Sequence, residues 1–571
     1  MSRVVRFLAA LTLIAAGPAL AASAPPVAAE NGMVASAQRL ASEVGVEVLK
    51  RGGNAVDAAV AVGYALAVVL PPDGNLGGGG FMTAVFADGR KTFIDFREKA
   101  PLAATPDMYL DKDGNVVKGL STRGYLAVAV PGTVGGLEYA REKYGTLPRA
   151  DLLDPAISLA ENGFTLDLGD LIQFALATEE FRQYPTSAAI FLKDGRPFLP
   201  GERLVQKDLA RTLRAIREHG AAGFYEGDVG ASLVASIKAG GGIITAQDLQ
   251  RIAPRELKPI ECDYRGYTIV AAPPPSSGGV TLCEMLGILE GYPLGRLGFG
   301  SAQALHDEIE TMRHAYVDRN NLLGDPDFVD NPVSKLISRD YTANIRAAID
   351  PDKAARSADL APGKPPHEGE NTTHYSIVDK WGNAVAVTYS LNDAFGAGMV
   401  AGDTGVLLND TMDDFTAKVG ASNIYGLVQG QKNAIAPFKT PLSSMSPTIV
   451  VKDDKPVLIV GTPGGSRIIT VVLQTVLDVI DYGMTISEAV DAPRIHNQWL
   501  PDLTNVEPFA LSPDTRKILE GMGHHFGPPQ PVNLVDAILI GAPKLGGAPI
   551  GANRFYGAND PRRGTGAAVG Y

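Results

Sequence analysis

The sequence predicts an α+β fold in which sheets are packed between layers of helices. Three observations predict it. Short alternating apolar segments come in pairs around turn residues, as β-hairpins do. Long helical stretches separate them, and two of these are strongly apolar, as buried helices are. The texture also changes at Asn371, where mostly helical text from about residue 119 to 359 gives way to hairpins. Runs of strands interleaved with runs of helices bury their apolar faces by stacking in layers.

The chain has 571 residues, 45% hydrophobic. That length allows about three to five domains or one large composite fold, with core enough to need neither a disulfide scaffold nor a structural metal. Residues 1–24 read as a secretory signal peptide: Arg3 and Arg6, an apolar run over 7–16, then the small-x-small site Ala19-Leu20-Ala21. The run is shorter than the roughly 20 residues a bilayer requires, and no later window is apolar enough to span one. A soluble, exported protein is expected, periplasmic or secreted, off the membrane once the leader is removed. The net charge of −12 argues against nucleic acid and anionic membrane as partners. Cys262 and Cys283, the only cysteines, exclude a disulfide-rich framework or a multi-Cys metal site. An oxidising compartment would let them pair. One leads a strand and the other sits in a helical pattern, so the reading leans to two thiols, but spacing does not decide it.

Along the chain, Ser36 is placed to N-cap a helix running to Lys50 and ended by Gly52 and Gly53. A second helix over 55–70 stops at Pro71 and Pro72. Segments 81–87 and 91–96 form a hairpin around Asp88 and Gly89. Residues 351–370, Pro- and charge-rich without periodicity, read as an exposed linker. Then 375–378 with 384–389, and 448–452 with 457–460, form two more hairpins. An apolar helix over 467–482 is closed by Gly483, and 536–540 is a late strand.

Common catalytic signatures are missing. There is no G-x-x-x-x-G-K-[ST], so the glycine run 77–80 is not a phosphate loop; there is no H-E-x-x-H and no G-x-S-x-G. The eight histidines are scattered, including His306, His314, His524 and His525, and read as core or surface residues. The linker, however, runs straight into Asn371-Thr372-Thr373-His374-Tyr375-Ser376. A cut before Thr372 would give that residue a nucleophilic hydroxyl and a free α-amine with a pKa near 8, about right to accept the hydroxyl proton. From these residues alone, ordinary strand-entry threonines are the plainer reading.

The wider text changes that balance. Residues 372–571 resemble the small subunit of γ-glutamyltranspeptidases, through Thr372-Thr373-His374-Tyr375-Ser376, Thr388-Tyr389-Ser390-Leu391-Asn392, Met412-Asp413-Asp414-Phe415, the run 441–448 and Gly464-Gly465-Ser466-Arg467. The upstream half resembles the large subunit through 74–81, Asp95-Phe96-Arg97-Glu98, 263–267 and 273–279. The resemblance implies a four-layer αββα sandwich of the N-terminal-nucleophile hydrolase type. It implies a precursor that cuts itself between Asn371 and Thr372 into a large subunit, 25–371, and a small subunit, 372–571, which stay together as a heterodimer.

It further implies that Thr372 attacks the γ-glutamyl amide of glutathione or related compounds, forming an ester that water, an amino acid or a dipeptide resolves. No cofactor or metal is implied. Gly464 and Gly465 match the oxyanion-hole glycines, although a helix-entry turn would look the same. Arg97 matches the arginine for the donor α-carboxylate; a simple ion pair with Asp95 or Glu98 is its plainer reading. Ser443 and Ser444 match hydroxyls that help hold that carboxylate. Asp414, assisted by Asn392, matches the site for the α-ammonium, leaving Asp413 a structural task. Ser390 stands beside the nucleophile where relatives commonly have threonine. Thr411 replaces a longer Gln or Glu on the ammonium side, so a weakened donor contact or a water bridge is expected there. The loop 419–430, with Tyr425, resembles a lid, and Arg562 matches an arginine that stabilises the processed form. Two alternatives stay open: a glutaryl or cephalosporin acylase of the same fold, and an inactive exported binding protein.

Overall fold

The computed structural model describes residues 23–360 and 372–571. All but the last two residues of the expected leader, and Asn371 of the expected cut, lie outside the described residues. Two seven-stranded sheets, antiparallel throughout, form the centre. The first runs Val27–Ala29, Phe555–Asn559, Asp536–Ile540, Lys455–Gly461, Thr448–Lys452, Tyr267–Ala271, Ile260–Tyr264; the second runs Ala567–Gly570, Met33–Ser36, Thr373–Val378, Ala384–Ser390, Gly79–Val85, Lys91–Phe96, Arg255–Leu257. Each sheet takes strands from both sides of residues 361–371, so neither stretch of chain completes a sheet alone.

The two-residue strand period sorts the side chains into layers. Ala384, Ala386, Ile449, Val451, Ile459 and Ile538 meet in a core between the sheets. Their neighbours on the opposite faces join two outer cores. Val385, Val387 and Tyr389 pack under the helices Arg39–Lys50 and Ala55–Val69. Val450, Leu458, Val460 and Leu539 pack under Gly278–Leu289, Ala302–Leu322 and Arg467–Ile480. The order is therefore helix, sheet, sheet, helix. The helix Ala55–Val69 is buried along its whole length. Its first turn is closed by Asn54, whose side chain accepts from Val56 and Asp57 N–H while Asp57 accepts from the Asn54 N–H at 2.9 Å.

The expected hairpins form. The strand expected over 81–87 lies two residues earlier, at Gly79–Val85, and the other two hairpins extend slightly beyond the expected ranges. Two further details differ. Ser36 does not cap a helix: it ends the strand Met33–Ser36, paired with Tyr375 and Ala567, and Gln38 caps Arg39–Lys50 by accepting from Leu40 N–H at 2.8 Å. The helix expected to reach Tyr482 stops at Ile480, with Gly483 left-handed beyond it. Cys262 and Cys283 are disulfide-bonded, with Cα atoms 5.9 Å apart. The lean towards two thiols fails because the helix Gly278–Leu289 folds directly back over the strand Ile260–Tyr264.

Unfolded protein alkylated without reductant should therefore carry no label, and two labels after reduction. Replacing both cysteines by alanine should lower stability by about 3 kcal/mol through the lost chain constraint, read as an earlier thermal transition.

Candidate active site

Strand register positions the central residue. Thr373 pairs with Tyr389, and one step further sets Thr372 opposite Ser390, which itself pairs with Gly79. Thr372 Oγ1 lies 3.3 Å from Ser390 Oγ, and both residues are buried. Ser390 Oγ accepts the Asn392 amide N–H at 2.8 Å, which fixes the hydroxyl beside the threonine oxygen. Asn392 follows with a φ of 86°, a left-handed conformation that asparagine tolerates better than most residues.

His374, two residues along the strand, is turned to other work. Its ring nitrogens lie 2.8 Å from Thr388 Oγ1 and 3.0 Å from Ser376 Oγ, and burial drives its pKa down to about 3. It stays neutral and is no partner for Thr372.

Thr372 opens into a narrow cleft whose walls include Arg97, Ser390, Asn392, Asp414, Tyr425, Ser443, Ser444 and Gly465. Arg97 follows the strand Lys91–Phe96, and Asp414 ends the 3₁₀ turn Thr411–Asp414. An Arg97 Nη donates to Asp414, the other lies 3.2 Å from Glu98 Oε2, and the backbone N–H donates to Asp95 Oδ1. Of the two ion pairs expected for Arg97, the one with Glu98 is present, while the Asp95 carboxylate takes Arg255 instead; the contact with Asp414 was not foreseen. Arg97 Nε is buried and has no hydrogen-bond acceptor among the described residues. Burial pushes the Asp414 carboxyl up from its ordinary value, with the Arg97 and Arg319 guanidiniums pulling it back.

Two expected residues among those described are not in the cleft wall. Thr411 is fully buried behind it and donates to Glu98 Oε1 at 2.8 Å, so its hydroxyl is turned to Glu98 and not to the cleft. Its side chain is too short to pass Glu98 and reach the cleft. Gly464 sits one residue outside, and Asn371 lies outside the described residues. Asp413 is structural as expected, accepting from Ser121 Oγ at 2.6 Å and from Ile424 N–H at 2.7 Å.

The turn Gly464–Gly465 requires glycine twice. Both have positive φ, 113° and 55°; a Cβ on Gly464 would land 1.8 Å from the Asn533 amide, and one on Gly465 2.2 Å from the Tyr425 ring. The turn leads into the helix Arg467–Ile480, whose dipole favours negative charge at this end, while the Arg467 and Ile468 N–H groups donate back to the carbonyls of Gly464 and Gly465. Tyr425 is buried, its hydroxyl donating to the Asn392 carbonyl, and its loop is pinned by Gln498 Nε2 on the carbonyls of Tyr425 and Gly426. Arg562 grips Asp560 and Glu507, tying down the C-terminal segment.

One residue of the cleft escaped the sequence. Arg319 is 1% exposed and donates to Ser277 Oγ, Asn320 Oδ1, Gln429 Oε1 and Ser444 Oγ, the last at 2.9 Å. All four acceptors are neutral, and burial pushes its pKa down to about 10. Its signal is positional: Ile309, Met312 and Tyr316 form a buried helical stripe that Arg319 continues.

A family model described as gamma-glutamyltranspeptidase matches residues 41–570. The chain belongs to the γ-glutamyltranspeptidase family. It is 68% identical over 552 residues to the glutathione hydrolase proenzyme of Pseudomonas sp. (strain A14), covering 96% of each chain. It is 49% identical over 549 residues to the glutathione hydrolase proenzyme of Escherichia coli (strain K12), covering 96% of this chain and 93% of that one. Among solved structures it resembles a cephalosporin acylase from Bacillus halodurans, with a TM-score of 0.84 and 27% identity over 97% of this chain and 98% of that one. The fold is therefore the four-layer sandwich expected of this transpeptidase family.

Because Gly465 leaves no room for a Cβ, Gly465→Ala should displace the Tyr425 ring from the cleft. Turnover by this transpeptidase-family chain should fall about 100-fold, the usual result of shifting a reacting geometry by an ångström, while far-UV circular dichroism stays unchanged.

Proposed function

We propose that this protein is a self-processing γ-glutamyltransferase and glutathione hydrolase. One observation carries the reading: a buried threonine hydroxyl shares its cleft with a guanidinium and a carboxylate fit for the two charges of an amino-acid head group. A γ-glutamyl donor presents an α-carboxylate and an α-ammonium several bonds from the amide that reacts. Arg97, with its unpartnered Nε, suits the carboxylate, aided by Ser443 and Ser444; Asp414, with Asn392, suits the ammonium. Arg319 is a positioning residue that orients the Ser444 hydroxyl.

In the precursor, the Thr372 hydroxyl attacks the Asn371 carbonyl and the Asn371–Thr372 C–N bond breaks with the proton passing to nitrogen, which frees the threonine α-amine; water then hydrolyses the resulting ester, releasing the Asn371 carboxylate and restoring the Thr372 hydroxyl. The products, residues 25–371 after loss of the leader and 372–571, remain a heterodimer because both sheets draw strands from both. The free amine then accepts the Thr372 hydroxyl proton as the oxygen adds to the γ-amide carbonyl. The oxyanion is held at the Gly464–Gly465 turn, beside the N-terminal end of the helix Arg467–Ile480 and its dipole. The amine portion leaves with that proton, and water or an acceptor amino acid or dipeptide resolves the ester. Ser390 steadies the nucleophile, and Tyr425 covers the cleft. Among the described residues no helix is long and apolar enough to cross a membrane, which accords with an exported protein acting in the periplasm or outside the cell. A glutaryl side chain carries no ammonium and would leave Asp414 without a partner from the substrate, which favours the γ-glutamyl reading over the acylase.

Thr372→Ala should remain a single chain on a denaturing gel and should release no anilide from a chromogenic γ-glutamyl anilide; a cut or active variant refutes the proposal. The pH dependence has two parts. The α-amine must be neutral, so kcat should fall as pH drops below about 8. Asp414, raised by burial, must be ionised to hold the ammonium, so KM should climb on the acid side as it protonates. Asp414→Asn should raise KM about 10- to 100-fold, the worth of a charged hydrogen bond, and should abolish the acid-side climb.

A further inference from the structure

Arg319 can only donate. A guanidinium carries N–H groups and no acceptor, so every side chain it bonds must turn an oxygen towards it. From the helix Ala302–Leu322 it reaches Ser277 Oγ at 3.1 Å, Ser444 Oγ at 2.9 Å and Gln429 Oε1 at 3.1 Å. We infer that Arg319 and Ser277 are positioning residues that fix the hydrogen-bond polarity of the cleft, turning the Ser443 and Ser444 hydroxyls into donors so that the site takes a carboxylate and rejects a neutral group in its place. The inference rests on the γ-glutamyltransferase reading and adds what makes that site selective.

The polarity follows bond by bond. Ser277 Oγ accepts from Arg319 Nε, so its one proton goes to the Ser443 carbonyl, 2.7 Å away. The Ser277 backbone N–H donates to the same carbonyl at 2.8 Å, and the Ser443 N–H donates to the Pro275 carbonyl at 3.0 Å. The strip that carries the cleft hydroxyls is thus stitched, in parallel, to the stretch 275–277 that leads into the helix Gly278–Leu289. On the strip, Ser443 Oγ accepts the Met445 N–H at 3.1 Å, and Ser444 Oγ accepts from Arg319 Nη2. A serine hydroxyl has a single proton. With each oxygen already accepting, each proton is left for the cleft, which both residues line. The same guanidinium settles the Gln429 amide. Its oxygen faces Arg319, so its Nε2 donates to the Asp414 carbonyl at 3.0 Å behind the acidic side of the site. A carboxylate only accepts, and it meets the serine protons with its oxygens. A primary amide of the same shape brings an NH₂ group against those protons and leaves a buried donor without a partner.

The test compares two donors on each preparation of the full-length protein: a chromogenic γ-glutamyl anilide, and the same anilide with its α-carboxylate made a primary amide. The ratio of their kcat/KM values, acid over amide, does not depend on how much enzyme is folded or processed. Arg319→Gln replaces a pure donor by a group that both donates and accepts, which lets the Ser444 hydroxyl reverse. The ratio should fall about 10-fold, the worth of one hydrogen bond to a charged group. Ser277→Ala leaves the buried charge in place but removes the acceptor of Arg319 Nε, and it should lower the ratio by about the same factor. Thr281→Ala, one turn further along the helix Gly278–Leu289, is the control. Its hydroxyl is fully buried and has no partner among the described residues, so the ratio should stay at the wild-type value. A merely structural role for Arg319 and Ser277 would slow both donors alike. An unchanged ratio in Ser277→Ala and Arg319→Gln, or an equal fall in Thr281→Ala, therefore overturns the inference while leaving the enzyme assignment standing. A wild-type preparation that turns over neither anilide overturns both.

Discussion

The antiparallel pairing of Thr373–Val378 with Ala384–Ser390 holds one threonine at the end of a strand that is hydrogen-bonded along both edges. A strand in that position has little freedom to slide, because a one-residue slip would exchange Tyr375 and Ile377, which face the helices, with Ser376 and Val378, which face the other sheet. The register therefore decides that Ser390 stands beside Thr372, that Gly79 follows across the next strand, and that the His374 ring fills the space Gly461 leaves between the sheets. The reactive group is placed by the most rigid element available rather than by a loop. The residues around it come from loops and turns that close over the sheet edge.

Those surroundings are electrostatically demanding. Arg97, Glu98, Asp414 and Arg319 are all buried in or just behind one cleft. Taken singly, each would carry a desolvation penalty of several kcal/mol. Together they offset one another through the Arg97 contacts to Glu98 and Asp414, while Thr411 supplies a hydrogen bond to Glu98 from behind. The arrangement is satisfied but not saturated, since the Arg97 Nε still lacks an acceptor. A site that must receive a zwitterion needs this property, with charge balance when empty and donors still open when a ligand arrives. Arg319, bonded to neutral acceptors alone, keeps the field near Asp414 positive without competing for its oxygens.

The hairpins were legible because two-residue alternation and turn residues are local signals, and the buried helix 55–69 because, Asp57 aside, it is apolar nearly all round. Much of the cleft was legible too, but by a different route: motif likeness pointed to Arg97, Asp414, Ser443, Ser444 and Gly465, none of which local pattern distinguishes from an ion pair or a turn. What escaped depends on long-range return of the chain. Cys283 meets Cys262 only because a helix folds back on its own strand. Ser36 looked like a cap because its pairing with Tyr375, more than 300 positions away, leaves no local trace. Thr411 looked like a cleft residue because position in a motif says nothing of side-chain reach. Arg319 was hidden as one more arginine in a polar helix, although it continues an apolar stripe.

Both sheets draw strands from either side of the segment 361–371. A chain severed there would have interdependent halves, held by backbone ladders and the cores between layers rather than by a covalent link. Folding of the intact chain is unimolecular, but reassembly after unfolding of the severed form would require two fragments to meet, each carrying incomplete sheets with bare edges. Such a scission would work as a ratchet. It would turn a molecule whose refolding is unimolecular into one whose recovery depends on concentration, and so would shift its persistence from equilibrium stability to the height of the unfolding barrier.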